Sequence, residues 1–391
     1  MDNKIETIFQ NVSADVIRFA QEIVKTKSMT CQEQDVAHLV EKEMQRLGFD
    51  EIKLDGIGNV IGRIGNGKNT LLFDSHMDTV SVIDASEWTY PPFGGVIEDG
   101  KLYGRGAVDM KCPLVASVYG AYIAKCAGLS NDSTIYVSAS TMEEDYDGEA
   151  LRYLLETSGI HPDGVVICEP TNLRIATGHR GRALIEVHSK GVACHGSTPE
   201  KGINPVYALA PIIERIQEVA SKLGKESGEH GSLALTNIYC NTASNNSVPS
   251  DATVILDRRL ALGETEAKII KEMDDMLAGT NAQWNFSDIP GTSWNGKEFL
   301  FHSFLPAWDI SKDHPLVKLA SDAYCNITEK DPELFRMIAC TNGVSSAGMY
   351  KLPTIVFGPG DLTQAHARDE YCEVDSMLAA CKIYASMCLA L

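Results

Sequence analysis

The first half of the chain alternates between two kinds of hydrophobic pattern. Residues 12–24 and 36–47 place apolar side chains at helical spacing, and Gly48 follows the second segment as a helix C-cap. Short apolar runs, typical of strands buried on both faces, occupy residues 59–64, 70–74, 133–138 and 164–168. A further run at 354–357 is placed to rejoin the same sheet. The pattern predicts an α/β domain built on a mixed sheet.

The middle of the chain follows a different plan. Residues 182–188, 233–238 and 252–256 read as strands, and 205–223 and 264–277 as helices. Strand, helix, strand, strand, helix is the order of a small α+β domain. A chain of 391 residues also exceeds the roughly 250–300 residues that one core supports. We therefore predict a larger domain from residues 1–180 and 296–391, and an inserted α+β domain at 181–295.

The composition of the chain indicates a cellular compartment. No stretch reaches the roughly 18 consecutive apolar residues that a membrane span needs. The first six residues, MDNKIE, have neither the basic start nor the apolar run of a secretory signal. The eleven cysteines are an odd number without a CxxC pair, which favours a reducing compartment and argues against a thiolate zinc site. We expect a cytoplasmic protein.

The net charge of −19 bears on possible partners. Such a surface repels nucleic acid and anionic lipid, and no basic cluster offsets it. A small anionic substrate is still acceptable, because one or two buried arginines can set the local field. We expect no nucleic-acid or membrane partner.

Polar side chains follow the predicted buried strands, where open α/β sheets place their ligands. His76 and Asp78 end one strand as His-x-Asp, a pair in which the aspartate can fix the tautomer of a metal-binding histidine. A glycine-rich loop presents Asp109. Glu143, Glu144, Glu169 and His366 follow three other apolar runs.

Each of these features has an ordinary structural alternative. His76 taken alone is more often a hydrogen-bonded structural histidine, and the acids at 143–145 are compatible with a solvated turn. The segment 104–111 lacks the GxxxxGK[ST] spacing of a phosphate loop, and no strand is predicted immediately before it. Together, however, two histidines, one presented aspartate and two glutamates form the N/O ligand set of a two-metal site. The remaining glutamate is then available as a proton shuttle.

With these motifs in place, the sequence resembles the di-zinc amidohydrolases and metallopeptidases of family twenty. These include aminoacylase, acetylornithine deacetylase, succinyl-diaminopimelate desuccinylase and carboxypeptidase G. The matching segments are DSHMD (74–78), GRGAVDMK (104–111), MEE (142–144), EPT (169–171), ACHGSTP (193–199), GINP (202–205) and AH (365–366). Within this family, the chain most resembles the YgeY-type branch, which is linked to selenium metabolism. The segments that carry this resemblance are EEDYDG (143–148), RGR (180–182), DRRL (257–260) and TNGVS (341–345).

This resemblance implies a zinc-exopeptidase-like catalytic domain and a role for each matched residue. His76 and Glu169 are expected to bind one Zn²⁺, Glu144 and His366 the other, and Asp109 both, with a cis Asp109–Met110 peptide. Asp78 is expected to hold the His76 ring. Glu143 is expected to be the general base, acting on a water that the metals acidify. Co²⁺ or Mn²⁺ in place of Zn²⁺ is compatible with such ligands.

The inserted domain resembles the family's ferredoxin-like lid and dimerisation domain, which implies a homodimer. His195 matches the histidine that reaches into the partner's site to stabilise the oxyanion. Its ordinary alternative is a histidine in a strand-end turn. Asn246 and Arg258 match positions that bind the substrate carboxylate. A surface ion pair is the alternative for Arg258, and the assignment of Arg180 and Arg182 stays open.

One segment departs from the family pattern. Many relatives carry an acid in a glycine-threonine-aspartate segment that lines the pocket, whereas this chain has Asn342 there. A neutral lining puts the classical deacetylase substrates in doubt. The resemblance implies hydrolysis of an N-acyl or N-carbamoyl amino acid. A dipeptidase or aminopeptidase is the alternative, and a catalytically silent metal-binding homologue is disfavoured because Glu143 is present.

Overall fold

The computed structural model describes residues 2–223 and 230–391. The helices are α1 (Asp2–Lys25), α2 (Gln34–Arg46), α3 (Cys112–Ala127), α4 (Glu149–Thr157), α5 (Pro205–Leu223), α6 (Glu266–Leu277), α7 (Pro315–Thr328) and α8 (Val374–Leu389). None of the helices in the described residues is both long and apolar enough to cross a membrane.

The strands range from two to ten residues in length. They are β1 (Glu51–Leu54), β2 (Val60–Gly65), β3 (Asn69–His76), β4 (Val96–Glu98), β5 (Lys101–Tyr103), β6 (Ser133–Ser140), β7 (Gly164–Ile167), β8 (Ile175–His179), β9 (Gly181–Lys190), β10 (Cys194–His195), β11 (Ser232–Asn241), β12 (Ser247–Val248), β13 (Asp251–Leu260), β14 (Gln283–Phe286), β15 (Ile289–Thr292), β16 (Glu298–Phe301), β17 (Phe304–Leu305), β18 (Trp308–Asp309), β19 (Leu334–Met337), β20 (Thr354–Val356) and β21 (Tyr371–Glu373).

The chain divides into two compact units. The first comprises residues 1–179, 291–299 and 309–391, and the second comprises 180–290 and 300–308. The first boundary lies within a residue of the predicted one. The second boundary differs from the prediction, which placed a single return to the first unit at residue 296. In the structure, residues 291–299 belong to the first unit and residues 300–308 to the second, and the chain then returns to the first unit.

The first unit is built on a mixed sheet, as the sequence predicts. Its strand order is β1-β2-β6-β3-β7-β20-β8, and β19 also pairs with β8. The four central strands, β6, β3, β7 and β20, run parallel to one another. Strands β2 and β8 pair with them antiparallel, and β1 pairs antiparallel with β2. The central strands are buried almost throughout, which explains why they appear in the sequence as continuous apolar runs.

Helices α1, α3 and α8 pack together in the core of this unit. Tyr384 of α8 is fully buried, and its hydroxyl donates to the carbonyl of Phe357 over 2.6 Å. Its ring meets Phe73 of β3 edge-on, with centroids 5.0 Å apart. Sheet and helices therefore share one core, which fixes where the strand ends lie.

The second unit is a smaller α+β structure. Its antiparallel sheet has the order β11-β13-β9-β14, and β17 also pairs with β9. Buried and partly buried residues alternate along β9, so one face of the sheet packs against a core while the other does not. That core contains Ile185 and Val254 from the sheet together with Leu209 of α5 and Ile269 of α6. All five elements predicted between 182 and 277 are present.

Candidate metal centre

The register of the parallel strands brings the predicted ligands to one edge of the sheet. His76 at the end of β3 is paired with Ser140 at the end of β6, and Asp74 is paired with Ile167 at the end of β7. The residues that follow these strands, Glu143 and Glu169 among them, therefore leave the sheet beside His76. This is the edge at which open α/β sheets bind their ligands.

Asp78 holds the His76 ring in one orientation. Nδ1 of His76 lies 3.0 Å from the Asp78 carbonyl oxygen and 3.3 Å from its carboxylate oxygen Oδ1. With Nδ1 donating, Nε2 is left to accept a metal ion. That nitrogen faces Asp109 Oδ1 at 3.0 Å, Glu169 Oε1 at 3.6 Å and Glu143 Oε2 at 3.8 Å.

Asp109 lies between the two histidines. Its Oδ1 faces His76, while its Oδ2 lies 3.3 Å from Nε2 of His366. The peptide between Asp109 and Met110 is cis, as the resemblance implies. One carboxylate oxygen directed at each histidine is the geometry that a bridging ligand requires.

Glu144 completes the second half of the cluster. Its Oε2 lies 3.0 Å from Nε2 of His366, and its Oε1 accepts a hydrogen bond from the Val80 amide. The His366 side chain is 53% exposed, whereas that of His76 is fully buried. The two halves of the cluster therefore differ in their access to solvent.

Asp78 also positions both glutamates. Its Oδ1 accepts the backbone N–H of Glu143 at 2.9 Å, and its Oδ2 accepts that of Glu144 at 3.1 Å. The hydroxyl of Thr30 donates to the same Oδ2 at 2.9 Å. The sequence argument gave Asp78 only the histidine and missed Thr30, which precedes the buried Glu33 in a loop that carries no motif.

The electrostatics of the cluster match a site for cations. Burial raises the pKa values of Glu143 and Glu169 well above the ordinary range, and neighbouring carboxylates add to the effect. Hydrogen bonds to Asp109 and Glu144 raise the pKa of His366 to about 10. So many buried acids are costly to ionise together without a positive partner.

The donor set fits divalent metal ions. Ligand atoms of His76, Glu143 and Glu169 all lie within 4.8 Å of one another, as do those of His76, Asp109 and Glu144. Imidazole nitrogen with carboxylate oxygen suits Zn²⁺ and related ions. The structure thus brings the five predicted ligands into one cluster, with Glu143 beside them.

In the second unit, His195 and Asn246 lie on one open cleft of ≈ 770 Å³, which Asn204 and Tyr207 also line. Nδ1 of His195 accepts the backbone N–H of Ser197 at 3.1 Å. In the neutral ring the proton is then on Nε2. The ring therefore offers a donor, as an oxyanion-stabilising group must.

Arg258 lies elsewhere, and its predicted role does not fit its contacts. The side chain is fully buried, and its five N–H donors reach Glu264, Glu272 and the carbonyl of Arg259. No donor remains for a substrate carboxylate. The sequence contains a signal for the burial of Arg258, because this residue falls on the same face of β13 as the buried apolar residues Leu256 and Leu260.

Asn342 forms a buried hydrogen-bond network at the strand ends. Its side-chain NH₂ donates to Asp74 Oδ2 at 2.8 Å and to the Ser140 hydroxyl at 3.1 Å, and its oxygen accepts the Gly148 N–H at 2.8 Å. The residue is buried, and its side-chain amide is engaged by these three contacts. Its effect on substrate choice stays a prediction.

Two further residues in contact with the cluster were quoted within motifs without a role. Glu370 accepts backbone hydrogen bonds from the loop that carries Asp109, and Arg105 pairs with Glu370. Sequence alone cannot distinguish these buried charges from exposed ones. A three-residue strand, β5, does precede this loop, contrary to expectation, although the spacing still excludes a phosphate loop.

A mixed α/β sheet with histidines and carboxylates gathered at its ligand-binding edge is the arrangement of a metal-dependent enzyme. The chain belongs to peptidase family M20/M25/M40, whose sequence profile matches residues 72–390. It is 34% identical over 384 residues to YgeY of Escherichia coli (strain K12), covering 97% of this chain and 95% of that protein. It is 27% identical over 403 residues to a probable succinyl-diaminopimelate desuccinylase of Staphylococcus epidermidis, covering 95% and 96%.

Solved structures share the fold. An M20 family metallo-carboxypeptidase from Sulfolobus solfataricus superimposes with a TM-score of 0.74 at 20% identity, covering 95% of this chain and 98% of that one. The Bacillus subtilis YXEP protein, a dinuclear metal-binding peptidase of the M20 family, gives 0.70 at 14% identity, with 97% and 98% covered. The predicted fold class, family and enzyme class, a metal-dependent peptidase or amidohydrolase, are confirmed.

Proposed function

We propose that this chain is a two-metal hydrolase that cleaves the amide bond of a small N-acyl or N-carbamoyl amino acid. The observation that carries the proposal is the position of Asp109, with one carboxylate oxygen toward each histidine. His76 and Glu169 would hold one ion and His366 and Glu144 the other. When bound, such ions acidify water and polarise the scissile carbonyl. We propose Zn²⁺, with Co²⁺ or Mn²⁺ as working substitutes.

Glu143 is the proposed general base. Its carboxylate lies beside the His76 side of the cluster, and the hydrogen bond from its backbone N–H to the Asp78 carboxylate fixes its backbone. Burial raises its pKa, which makes it a stronger base toward water and then a competent acid toward the leaving nitrogen. One residue can thus move the proton in both steps.

Asn246 and His195 are the proposed substrate contacts in the second unit. They share one cleft, and the carbonyl of Asn246 accepts the Gly196 N–H at 2.6 Å, which ties the two loops together. An amide donor and an Nε2–H donor suit a carboxylate and a developing oxyanion. Arg258 has no part in this proposal.

A peptidase is the second candidate, and Asp147 favours it. A dipeptidase or aminopeptidase needs an acid to bind the free α-ammonium group, and the sequence alone offered none. In the structure the negative charge of Asp147 is close enough to raise the pKa of Glu143. If Asp147 meets the substrate amine, Asp147→Asn should weaken dipeptide hydrolysis and spare N-acyl amino acids.

A substrate panel with a paired variant tests the function. Metal-loaded protein is assayed on N-acetyl, N-succinyl and N-carbamoyl amino acids and on dipeptides. Glu143→Gln should lower kcat on the accepted class by about 10²–10⁴-fold, while bound metal stays at the wild-type level. Asp145→Asn, an exposed neighbour in the same loop, is the matched control and should keep full activity.

The possible outcomes of this assay distinguish the two candidate functions and test the role of Glu143. Turnover confined to dipeptides would replace the first candidate by the second. Turnover that survives Glu143→Gln with metal still bound would remove Glu143 from the mechanism. No turnover of any amide after full metal loading would contradict hydrolysis itself.

We also propose a homodimer formed through the second unit. Strand β11 is an edge strand that pairs with β13 and, among the described residues, with no other strand. It presents Ile238 and Tyr239 at 45% and 48% exposure. A long edge with exposed apolar side chains is suited to pairing with another chain.

For location we propose the cytoplasm. All eleven cysteines are free thiols, six of them at least partly exposed. Free thiols persist in reducing compartments.

A further inference from the structure

The loop that carries Asp109 is fastened by a residue outside the ligand set. The backbone N–H groups of Val108 and Asp109 both donate to Oε1 of Glu370, at 3.0 Å and 3.1 Å. The carbonyl of Glu370 in turn accepts the Gly104 N–H at 2.9 Å. Glu370 thus holds this loop at both ends.

The other oxygen of Glu370 is engaged by Arg105. Nη1 of Arg105 donates to Oε2 at 2.6 Å, and both side chains are buried. Nη2 of Arg105 reaches the carbonyl of His366 at 3.4 Å, and the guanidinium lies over the Trp88 ring at 5.1 Å. The pair therefore contacts the backbone of two proposed ligands, Asp109 and His366.

The secondary structure explains why these segments meet. Strand β21 pairs antiparallel with β5, with Tyr371 opposite Tyr103. The residues just after β5 and just before β21 therefore leave the small sheet side by side. Glu370 and Arg105 join them across this gap.

The contacts require a carboxylate at position 370. Oε1 accepts two N–H groups while Oε2 accepts a guanidinium, so neither position tolerates a donor. A glutamine would direct its NH₂ group at one of these donors. In both orientations of the glutamine amide, at least one buried donor loses its acceptor. The loop can then shift to relieve the repulsion between the two donors.

We propose that Glu370 and Arg105 are positioning residues that set the separation between Asp109 and His366, and so determine the affinity of the second metal ion. This rests on the two-metal assignment in the proposed function and does not depend on the substrate. The pair contacts neither His76 nor Glu169, which would hold the first ion together with Asp109, whereas the second ion would depend on both Asp109 and His366. The second ion is therefore expected to weaken more than the first.

Metal titration tests this without a substrate. Metal-free full-length protein is titrated with Zn²⁺ or Co²⁺ by calorimetry, and bound metal is counted by mass spectrometry after dialysis. Glu370→Gln should weaken the second ion at least about 10-fold, approaching His366→Ala, which removes a second-ion ligand. The first ion should weaken clearly less, because it shares only Asp109 with the second. Arg105→Lys keeps the charge but reaches fewer acceptors, so it should weaken the second ion less. Glu373→Gln, the same change at an exposed site, should match wild type.

Each result bears on the proposal. Two ions bound by Glu370→Gln with wild-type affinities would overturn it, as would equal weakening of both ions. If Glu370→Gln does not fold, Arg105→Lys carries the test, and an unchanged second ion there is equally decisive against the pair. A wild-type protein that binds a single ion would overturn the two-metal assignment along with it, whereas two wild-type ions with a failed substrate panel would not.

Discussion

At the scale of single residues, the site shows which chemistry can be inferred from sequence. Four of the five proposed ligands were predictable because each follows an apolar run, where burial without a cation is costly. Asp109 was predictable because a glycine-rich loop presents it. Arg258 was misassigned because family position suggested a substrate contact, whereas Glu264 and Glu272 occupy its donors. The contacts of Asn342 were not predictable because its hydrogen-bond partners are distant in sequence. Asn342 meets Asp74, 268 residues away, and no local pattern reveals such a pair.

The amide of Asn342 should be essential to stability. Asn342→Asp would set a carboxylate against Asp74, which is fully buried and whose pKa burial already raises to about 6. Losing the hydrogen bond and adding a like charge should lower the free energy of unfolding by about 2 kcal/mol or more. Urea denaturation measures this. Adding Asp74→Asn exchanges the two groups and should recover most of the loss, and an additive double variant would contradict the direct pairing.

At the scale of elements, the hydrophobic period predicted a strand or helix correctly where the burial pattern of the element is consistent along its length. Strands β2, β3, β6, β7 and β20 were found within two residues at each end because both faces are buried. Helices α3 and α8 were not predicted. Both are buried on nearly all sides, so they lack the amphipathic stripe that identifies a helix. Three-residue strands such as β4 and β5 are too short for any period to show.

The close packing of α3 on α8 makes a specific demand on Gly120. A Cβ added there would lie 2.6 Å from Cβ of Tyr384 and 3.1 Å from the Cys381 carbonyl. Alanine favours helices over glycine by about 1 kcal/mol, but forcing the helices apart costs about 1–3 kcal/mol. Gly120→Ala should therefore lower the thermal midpoint. Ser221→Ala, at an exposed position of α5, should not, and a midpoint raised by Gly120→Ala would show that the contact is looser.

At the scale of the whole molecule, metal and protons should oppose each other. Without metal, His366 with its pKa near 10 and Glu143 and Glu169 with raised pKa values bind more protons folded than unfolded. Their contribution is therefore present at low pH and lost as pH rises, for His366 between its ordinary 6.5 and about 10. Metal binding needs the ligands His366 and Glu169 deprotonated, so it strengthens over the same range.

The stability gained from metal should consequently grow with pH. Urea denaturation of chelator-treated and Zn²⁺-loaded protein at about pH 6.5, 8 and 9.5 would measure the gap between the two free energies of unfolding. Asp145→Asn, outside the cluster, should show the same widening, and His366→Ala should reduce it. A gap that stays constant would contradict the proposed ligation by His366.

The proposed dimer makes a prediction about shared sites. If His195 acts in the partner's site, His195→Ala and Glu143→Gln subunits should each be nearly inactive alone. Exchanged into mixed dimers, they should recover about a quarter of wild-type activity, because half the dimers are mixed and each has one complete site. Activity after subunit exchange measures this, with a mixture of His195→Ala and Asn246→Ala as the control, since both lesions fall in the same unit. No recovery would place His195 in its own subunit's site or outside catalysis.

The path of the chain between its two compact units limits how they can be separated. Residues 291–299 belong to the first unit, where the Trp294 ring nitrogen donates to the Gly58 carbonyl at 3.1 Å. Two cuts at 180 and 308 would therefore discard a part of the first unit together with the second. A minimal catalytic fragment would have to be joined from three pieces of the chain. To move the smaller unit onto another scaffold, residue 290 would have to be joined to residue 300, in addition to the junctions with the scaffold itself.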